Sequence, residues 1–262
     1  MTHFAMPVSQ YATKQVVWVR PETSLEEVHE VMTSHGVSCV PVVDAGGRAL
    51  GVISRSDLLK IGRLSMGPLG RLQAIAWPAA TAGEKMHQGV VMVPPGTPIA
   101  MAARAMAKQR IHRVFVGEDG NLAGVLSTKE LLLAIRDKRV TTPIQEHMSS
   151  PAFTIPVDTE LSRAMDRLWT AHVGGLVVVD DEDRPVGLFT QVEALLAREQ
   201  PPETTLEDVL SYAMLCLHAS TPLYRAAAHA YATRARRVLV TEEHRVVGVL
   251  TGIDFARAIA DA

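Results

Sequence analysis

Short runs of β-branched and aliphatic residues alternate with amphipathic helical stretches along the whole chain, and the alternation is written four times. A β-type run ends at Val19, Val93, Ile155 and Leu217, and at one fixed interval after each comes a threonine: Thr23, Thr97, Thr159 and Thr221. Threonine there predicts a helix N-cap, its hydroxyl accepting from the unpaired N–H groups of the first turn, and places Pro98 and Pro222 at the first helical position, where a missing N–H costs nothing. Thr23 with Glu26 predicts a capping box. Apolar residues then recur at helical spacing, Leu25, Val28, Val31 and Met32 in the first copy and Ile99, Ala102, Ala103 and Met106 in the second. A second strand follows as Val40-Pro41-Val42-Val43, Val114-Phe115-Val116, Leu176-Val177-Val178-Val179 and Val238-Leu239-Val240, closed by polar turns such as Asp44-Ala45-Gly46-Gly47 and Gly117-Glu118-Asp119-Gly120. The third strand opens on glycine every time, at Gly51, Gly124, Gly187 and Gly248, and leads into a last helix carrying Asp57-Leu58-Leu59, Glu130-Leu131-Leu132, Glu193-Ala194-Leu195-Leu196 and Asp254-Phe255-Ala256.

The unit is β-α-β-β-α, so the fold class is α/β, with repeats expected at residues 1–66, 67–138, 139–200 and 201–262. The interval from threonine to glycine is equal in copies one and three and one residue shorter in copies two and four. Copies two and four also share Thr-Pro at the helix start. A two-repeat module duplicated whole explains both facts and puts the module boundary near Lys138 to Pro143. The stretch from Gly62 to Glu84, with Gly67-Pro68 and Trp77-Pro78, reads as a linker holding one short helix.

Strand, Thr-led helix, VPVVD-like strand and then Gly-x-x-Ser/Thr-x-x-Asp/Glu, four times in register, resembles the CBS domain across nearly the whole chain. The resemblance implies repeats paired across their sheets into two Bateman modules that stack as a disc, within one chain or across a homodimer. The four-repeat layout is similar to that of the gamma subunits of AMP-activated protein kinase. If the modules meet through their last helices, the apolar faces around Leu58, Leu131, Leu195 and Phe255 should be buried.

Composition narrows the function. The chain has 262 residues, 26 basic against 28 acidic, for a net charge of −2. No global field favours nucleic acid or an anionic membrane, so an anionic ligand must be held by local charges. No apolar run approaches the ~18 residues of a membrane helix, and the start of the chain lacks a basic then apolar leader; a cytoplasmic protein is expected. Cys39 and Cys216 lie in apolar runs without CxxC spacing and read as small buried hydrophobes. His29, His35, His87, His147, His172, His218, His229 and His244 show no metal-ligand pairing, so no metal is expected. No nucleophile elbow, Walker sequence or dinucleotide fingerprint is present, and four repeats leave no room for a catalytic domain. The chain reads as a non-enzyme requiring no cofactor.

Two constellations remain. Ser54/Asp57, Ser127/Glu130, Thr190/Glu193 and Thr251/Asp254 end the third strand and open the last helix. A hydroxyl beside a helix N-terminus suits a phosphate or ribose oxygen; equally, each hydroxyl can cap its helix and each acid complement the dipole. The resemblance gives the Asp at this place the ribose diol, which favours Asp57 and Asp254 over the longer Glu130 and Glu193. At a second fixed interval after each Thr stand Ser38-Cys39, His112-Arg113, Gly174-Gly175 and Arg236-Arg237. Small residues let a base approach the backbone, and arginine offers a fork for phosphate oxygens; the alternative is an arginine that is solvated or salt-bridged. Thr23, Ser38, Cys39, Thr159, Gly174 and Gly175 are thus candidate base-side residues, and His112, Arg113, Arg236 and Arg237 candidate phosphate ligands. The reading is a sensor of an adenine nucleotide, AMP, ADP or ATP, that reports to a protein partner. S-adenosylmethionine is a ligand class of the family, but arginines aimed at the cleft disfavour a sulfonium. The alternative is a constitutive interaction scaffold with vestigial clefts.

Overall fold

A computed structural model describes residues 4–61, 63–66, 72–76, 78–171, 173–197 and 200–262. Repeat one contains α1 (Leu25–Ser34), β1 (Cys39–Val43), β2 (Ala49–Ser54) and α2 (Arg55–Ile61); its first strand is a single parallel bridge, Val19 to Val42. Next come β3 (Arg63–Met66), β4 (Leu72–Ala76), the short α3 (Ala82–Lys85) and β5 (His87–Gln88). Repeat two contains β6 (Met92–Val93), α4 (Ile99–Gln109), β7 (Arg113–Glu118), β8 (Asn121–Ser127) and α5 (Thr128–Asp137). Repeat three has β9 (Thr154–Pro156), α6 (Leu161–Thr170), β10 (Gly175–Val179), β11 (Pro185–Thr190) and α7 (Gln191–Leu196), and repeat four β12 (Leu215–His218), α8 (Leu223–Thr233), β13 (Arg237–Glu242), β14 (Arg245–Thr251) and α9 (Gly252–Ala260). In repeats two, three and four the first strand runs parallel to the second and the third antiparallel to it.

Three expectations need correction. The stretch read as a linker holds an antiparallel hairpin, β3 with β4, besides its short helix; Gly67, Pro68 and Trp77 lie outside the described residues, as does His172. The helices start one residue later than expected: Ser24 caps α1, its hydroxyl accepting from Glu27 N, and Pro98 and Pro222 sit at the N-cap with extended ψ. The physical reason is that the threonine has another use. Thr23, Thr159 and Thr221 donate their N–H three residues back, closing a turn, and the Thr23 hydroxyl accepts from Arg20 N within it. Cys216, expected inside, is exposed because β12 alternates its faces at the sheet edge, whereas Cys39 is buried. The one-residue difference between copies lies in the hairpin turn: five residues separate Val43 from Ala49 and Val179 from Pro185, while Glu118 to Asn121 and Glu242 to Arg245 are joined by two.

Each repeat is preceded by a single short turn: Val8–Gln10, Ala82–Lys85, Ile144–Glu146 and Leu206–Asp208. The first N–H of each donates to the carbonyl of a motif threonine in another repeat: Val8 to Thr97, Ala82 to Thr23, Ile144 to Thr221 and Leu206 to Thr159. Five residues after the turn's first residue, the chain crosses the third strand of that same repeat, pairing Thr13 with Val125, His87 with Val52, Ser149 with Val249 and Ser211 with Leu188. This explains the repeated glycine. A Cβ at Gly51 would collide with the His87 carbonyl, and at Gly187 and Gly248 it would lie 2.8 and 3.0 Å from the carbonyls of Ser211 and Ser149.

By packing, the chain forms two compact units that cut across the sequence modules. Thr13–Pro95 with Val114–Val125 form one; the residues up to Ala12, Gly96–Arg113 and Leu126–Ala262 form the other. In the first, Leu25, Val28, Met32, Val40, Ile53 and Leu58 close over Ala82 of the leading helix α3. In the second, Leu161, Leu168, Leu176 and Phe189 close over Leu206 and Leu210 from the turn that leads repeat four. There α4 packs on α9, and α5 packs on α8 and α9, so helices of repeats two and four share one core. Leu58, Leu131 and Phe255 are buried, Leu58 in the local core of its own unit; the Leu195 side chain lies outside the described residues.

Candidate ligand-binding site

Strand pairing brings the two constellations together. In the hairpins Cys39 lies opposite Ser54, Gly175 opposite Thr190, and Arg237 opposite Thr251. The carbonyls of Ser38 and His112 accept from Arg55 N and Thr128 N, the first N–H groups of α2 and α5. The dipeptide in each repeat is thus tied to the mouth of its last helix, beside the hydroxyl and the carboxylate.

All four carboxylates reach back to the helix cap. Oδ2 of Asp57 accepts from Ser54 N at 2.9 Å and Ser54 Oγ at 2.6 Å; Oδ2 of Asp254 accepts from Thr251 N at 2.7 Å and Thr251 Oγ1 at 2.6 Å. Glu130 and Glu193 accept from the amides and hydroxyls of Ser127 and Thr190 in the same way. The capping alternative is therefore realised in every copy, and what distinguishes the copies is the second oxygen. Oδ1 of Asp57 accepts from His87 Nε2 at 3.0 Å; the carboxylate side chain is 14% exposed and the imidazole 74%. Burial pushes the Asp57 carboxyl up, but the Ser54 hydroxyl and amide, with His87, outweigh it and hold the group below its ordinary value. Oδ1 of Asp254 accepts from Ser149 Oγ at 2.8 Å and Arg257 Nη1 at 3.0 Å, and this side chain is 2% exposed.

Within the unit formed by repeats three and four and the helices of repeat two, the cationic residues converge. His112 is held below its ordinary imidazole value first by burial and then by the charges of Arg113, Arg236 and Arg237. Arg237 is likewise pushed down by burial and by Arg236, with Glu193 opposing. Its guanidinium lies on the glycine pair of repeat three: a Cβ at Gly174 would stand 2.7 Å from Nη2, and one at Gly175 3.2 Å from Cζ. The small pair of one repeat and the cationic pair of its neighbour therefore share one surface. Like charges so placed repel one another, and Glu193 offsets part of that repulsion at Arg237.

Thr23 and Thr159 serve the turn and junction described above. The sequence reading missed His87 and Ser149, which meet the carboxylates from the crossing segment. Their signal was available, since Thr13, His87, Ser149 and Ser211 stand at one fixed interval from the start of each leading turn, but a repeat frame that starts at the first strand leaves those turns out. No group of three metal-ligating side chains occurs among the described residues, and no helix among them is long and apolar enough to cross a membrane.

The fold is shared with solved structures. Protein MJ1225 of Methanocaldococcus jannaschii, proposed as an archaeal homolog of gamma-AMPK, superposes with a TM-score of 0.76 at 17% identity, over 97% of this chain and 100% of that one. An uncharacterized conserved protein of Pyrococcus horikoshii does so with 0.71 at 16%, over 97% and 100%. In sequence, MJ1225 is 24% identical over 66% of this chain and 69% of its own length. Uncharacterized protein MJ1404 of the same organism is 26% identical over 97% of this chain but 62% of its own length, so this chain spans less than two thirds of that relative. The CBS domain model matches residues 8–63, 82–137, 144–199 and 206–261, each match opening on a leading turn. Four matches in register over most of the chain, on a fold of paired β-α-β-β-α units, make this chain a member of the CBS domain family.

Proposed function

We propose that the chain is a non-catalytic regulatory protein that binds an adenosine-containing ligand of the AMP, ADP or ATP class in the clefts of its paired repeats. The observation that carries this reading is the convergence of His112, Arg113, Arg236 and Arg237, with the Arg237 guanidinium laid on Gly174-Gly175. A cationic cluster whose guanidinium rests on backbone without side chains offers phosphate recognition. Differential affinity for two packings of the repeats is all such a sensor needs to signal to a partner. A thermal-shift screen with adenosine, AMP, ADP, ATP, GTP and S-adenosylmethionine tests it. Adenine nucleotides should raise the melting temperature by mass action, and the absence of any shift at millimolar nucleotide would refute the reading.

A second reading, a scaffold whose clefts bind nothing, is favoured by Asp254, whose two oxygens are both engaged inside the fold. It predicts full stability and partner binding without nucleotide, and no thermal shift with any of the six compounds.

A further inference from the structure

The crossing segment carries Thr13, His87, Ser149 and Ser211 at equivalent positions, and two of them, His87 and Ser149, meet the cap carboxylate of the neighbouring repeat. Three are hydroxyls; one is an imidazole. Ser149 spends its hydroxyl on a carboxylate that is closed to solvent, whereas His87 approaches from the surface and covers the free oxygen of a carboxylate that solvent can reach. We propose that His87 is a proton-operated cover on Asp57, making ligand binding in the repeat-one cleft weaker as the pH falls. The inference rests on the reading that Asp57 receives the ribose diol.

The steps are these. Asp57 Oδ2 is committed to the Ser54 amide and hydroxyl, so a diol must bond largely through Oδ1, where the imidazole now donates. A neutral imidazole gives up an ordinary hydrogen bond to the incoming hydroxyl. A protonated one gives up a charge-assisted bond, which is roughly twice as strong, and imidazoles change charge between about pH 5 and 8. The other charged or titratable groups on the flanking elements are Arg55 and Lys60 of α2, Glu84 and Lys85 of α3, and Glu26, Glu27, His29 and Glu30 of α1, which packs on α2. Arg55 donates to the Val37 carbonyl and Glu84 accepts from Thr81 N. Of these charges His87 alone contributes to holding down the Asp57 carboxyl. β2, the strand crossed by His87, carries no ionisable side chain.

The test is calorimetric titration of AMP into the full chain at pH 5.5 and pH 8.0, for the wild type, His87→Ser and Asp57→Ala. Serine is the residue of repeats three and four at this position and keeps the backbone pairing with Val52. The ratio of wild-type to His87→Ser dissociation constants should be about fivefold to tenfold larger at pH 5.5 than at pH 8.0. Taking the ratio removes protonation of the phosphate and of His112, which both proteins share. If Asp57→Ala weakens AMP while the ratio stays constant with pH, the cover is wrong and the ribose reading stands. If Asp57→Ala leaves AMP binding unchanged, or no AMP binds, the ribose reading fails and the cover falls with it.

Discussion

Asp57 and Asp254 occupy the same place in the motif and differ in what surrounds the second oxygen. Asp254 is itself closed to solvent, so its removal opens a hole at the helix cap and takes the acceptor from the Thr251 amide and hydroxyl, while Ser149 and Arg257, both reached by water, lose a partner they can replace. Asp254→Ala should cost about 2–4 kcal/mol of stability in denaturant unfolding. Asp57→Ala should cost less than half of that and show its main effect on adenosine binding, a tenfold to 150-fold loss for about 1.5–3 kcal/mol. Equal destabilisation by the two variants would mean that the exposure difference carries no weight. His112 gives a pH signature of its own. Burial and three arginines depress its folded-state pKa, so the unfolded chain takes up the proton first as the pH drops through about 6.5. Ligand-free stability should therefore fall from that pH down to the folded value. His112→Asn should flatten the slope between about pH 7 and pH 5. Bound phosphate reverses the preference, and ATP affinity should rise on acidification in the wild type more than in His112→Asn.

At the scale of elements, the last helices of repeats two and four start side by side, and Gly252 is the residue that lets them. A Cβ there would sit 2.6–2.7 Å from three atoms of the Thr128 side chain, which is too short to swing away. Gly252→Val should lose about 1–3 kcal/mol by overpacking, and Thr128→Ala should restore part of it; no recovery in the double variant would place the strain elsewhere. Much of this level was legible beforehand. Hydrophobic periodicity marked nearly every repeat element, because each buries one face in a local core, and the constant spacing of Ser/Thr-x-x-Asp/Glu fixed the cap carboxylates. The glycine that opens each third strand was visible too, but not its reason, since the carbonyl it makes room for arrives from a different repeat. The same non-locality hid the leading turns and the use of the motif threonines: a three-residue turn has no periodicity, and its partner lies a whole repeat away. His87 was passed over because a lone histidine on an exposed strand carries no pattern until the crossing places it on Asp57.

For the whole molecule, α4, α5, α8 and α9 form one helical layer shared by repeats two and four. Leu131 and Phe255 are buried in this unit. Leu131→Asp or Phe255→Asp should each abolish cooperative folding or cost more than about 3 kcal/mol, because an unpaired charge would be buried. A wild-type melting curve for either variant would show that these helices are dispensable. In the same unit the charges of Arg113, Arg236 and Arg237 all bear on His112, which marks one cationic place. If that place reads phosphates, the loss on removing a guanidinium must scale with phosphate charge. The decisive measurement is calorimetric titration of adenosine, AMP and ATP into the wild type and Arg237→Ala at fixed salt. The account predicts a loss of affinity that is largest for ATP, smaller for AMP and negligible for adenosine, with Arg237→Lys recovering part of it. Equal losses for adenosine and ATP, or no binding of any of the three to the wild type, would contradict it.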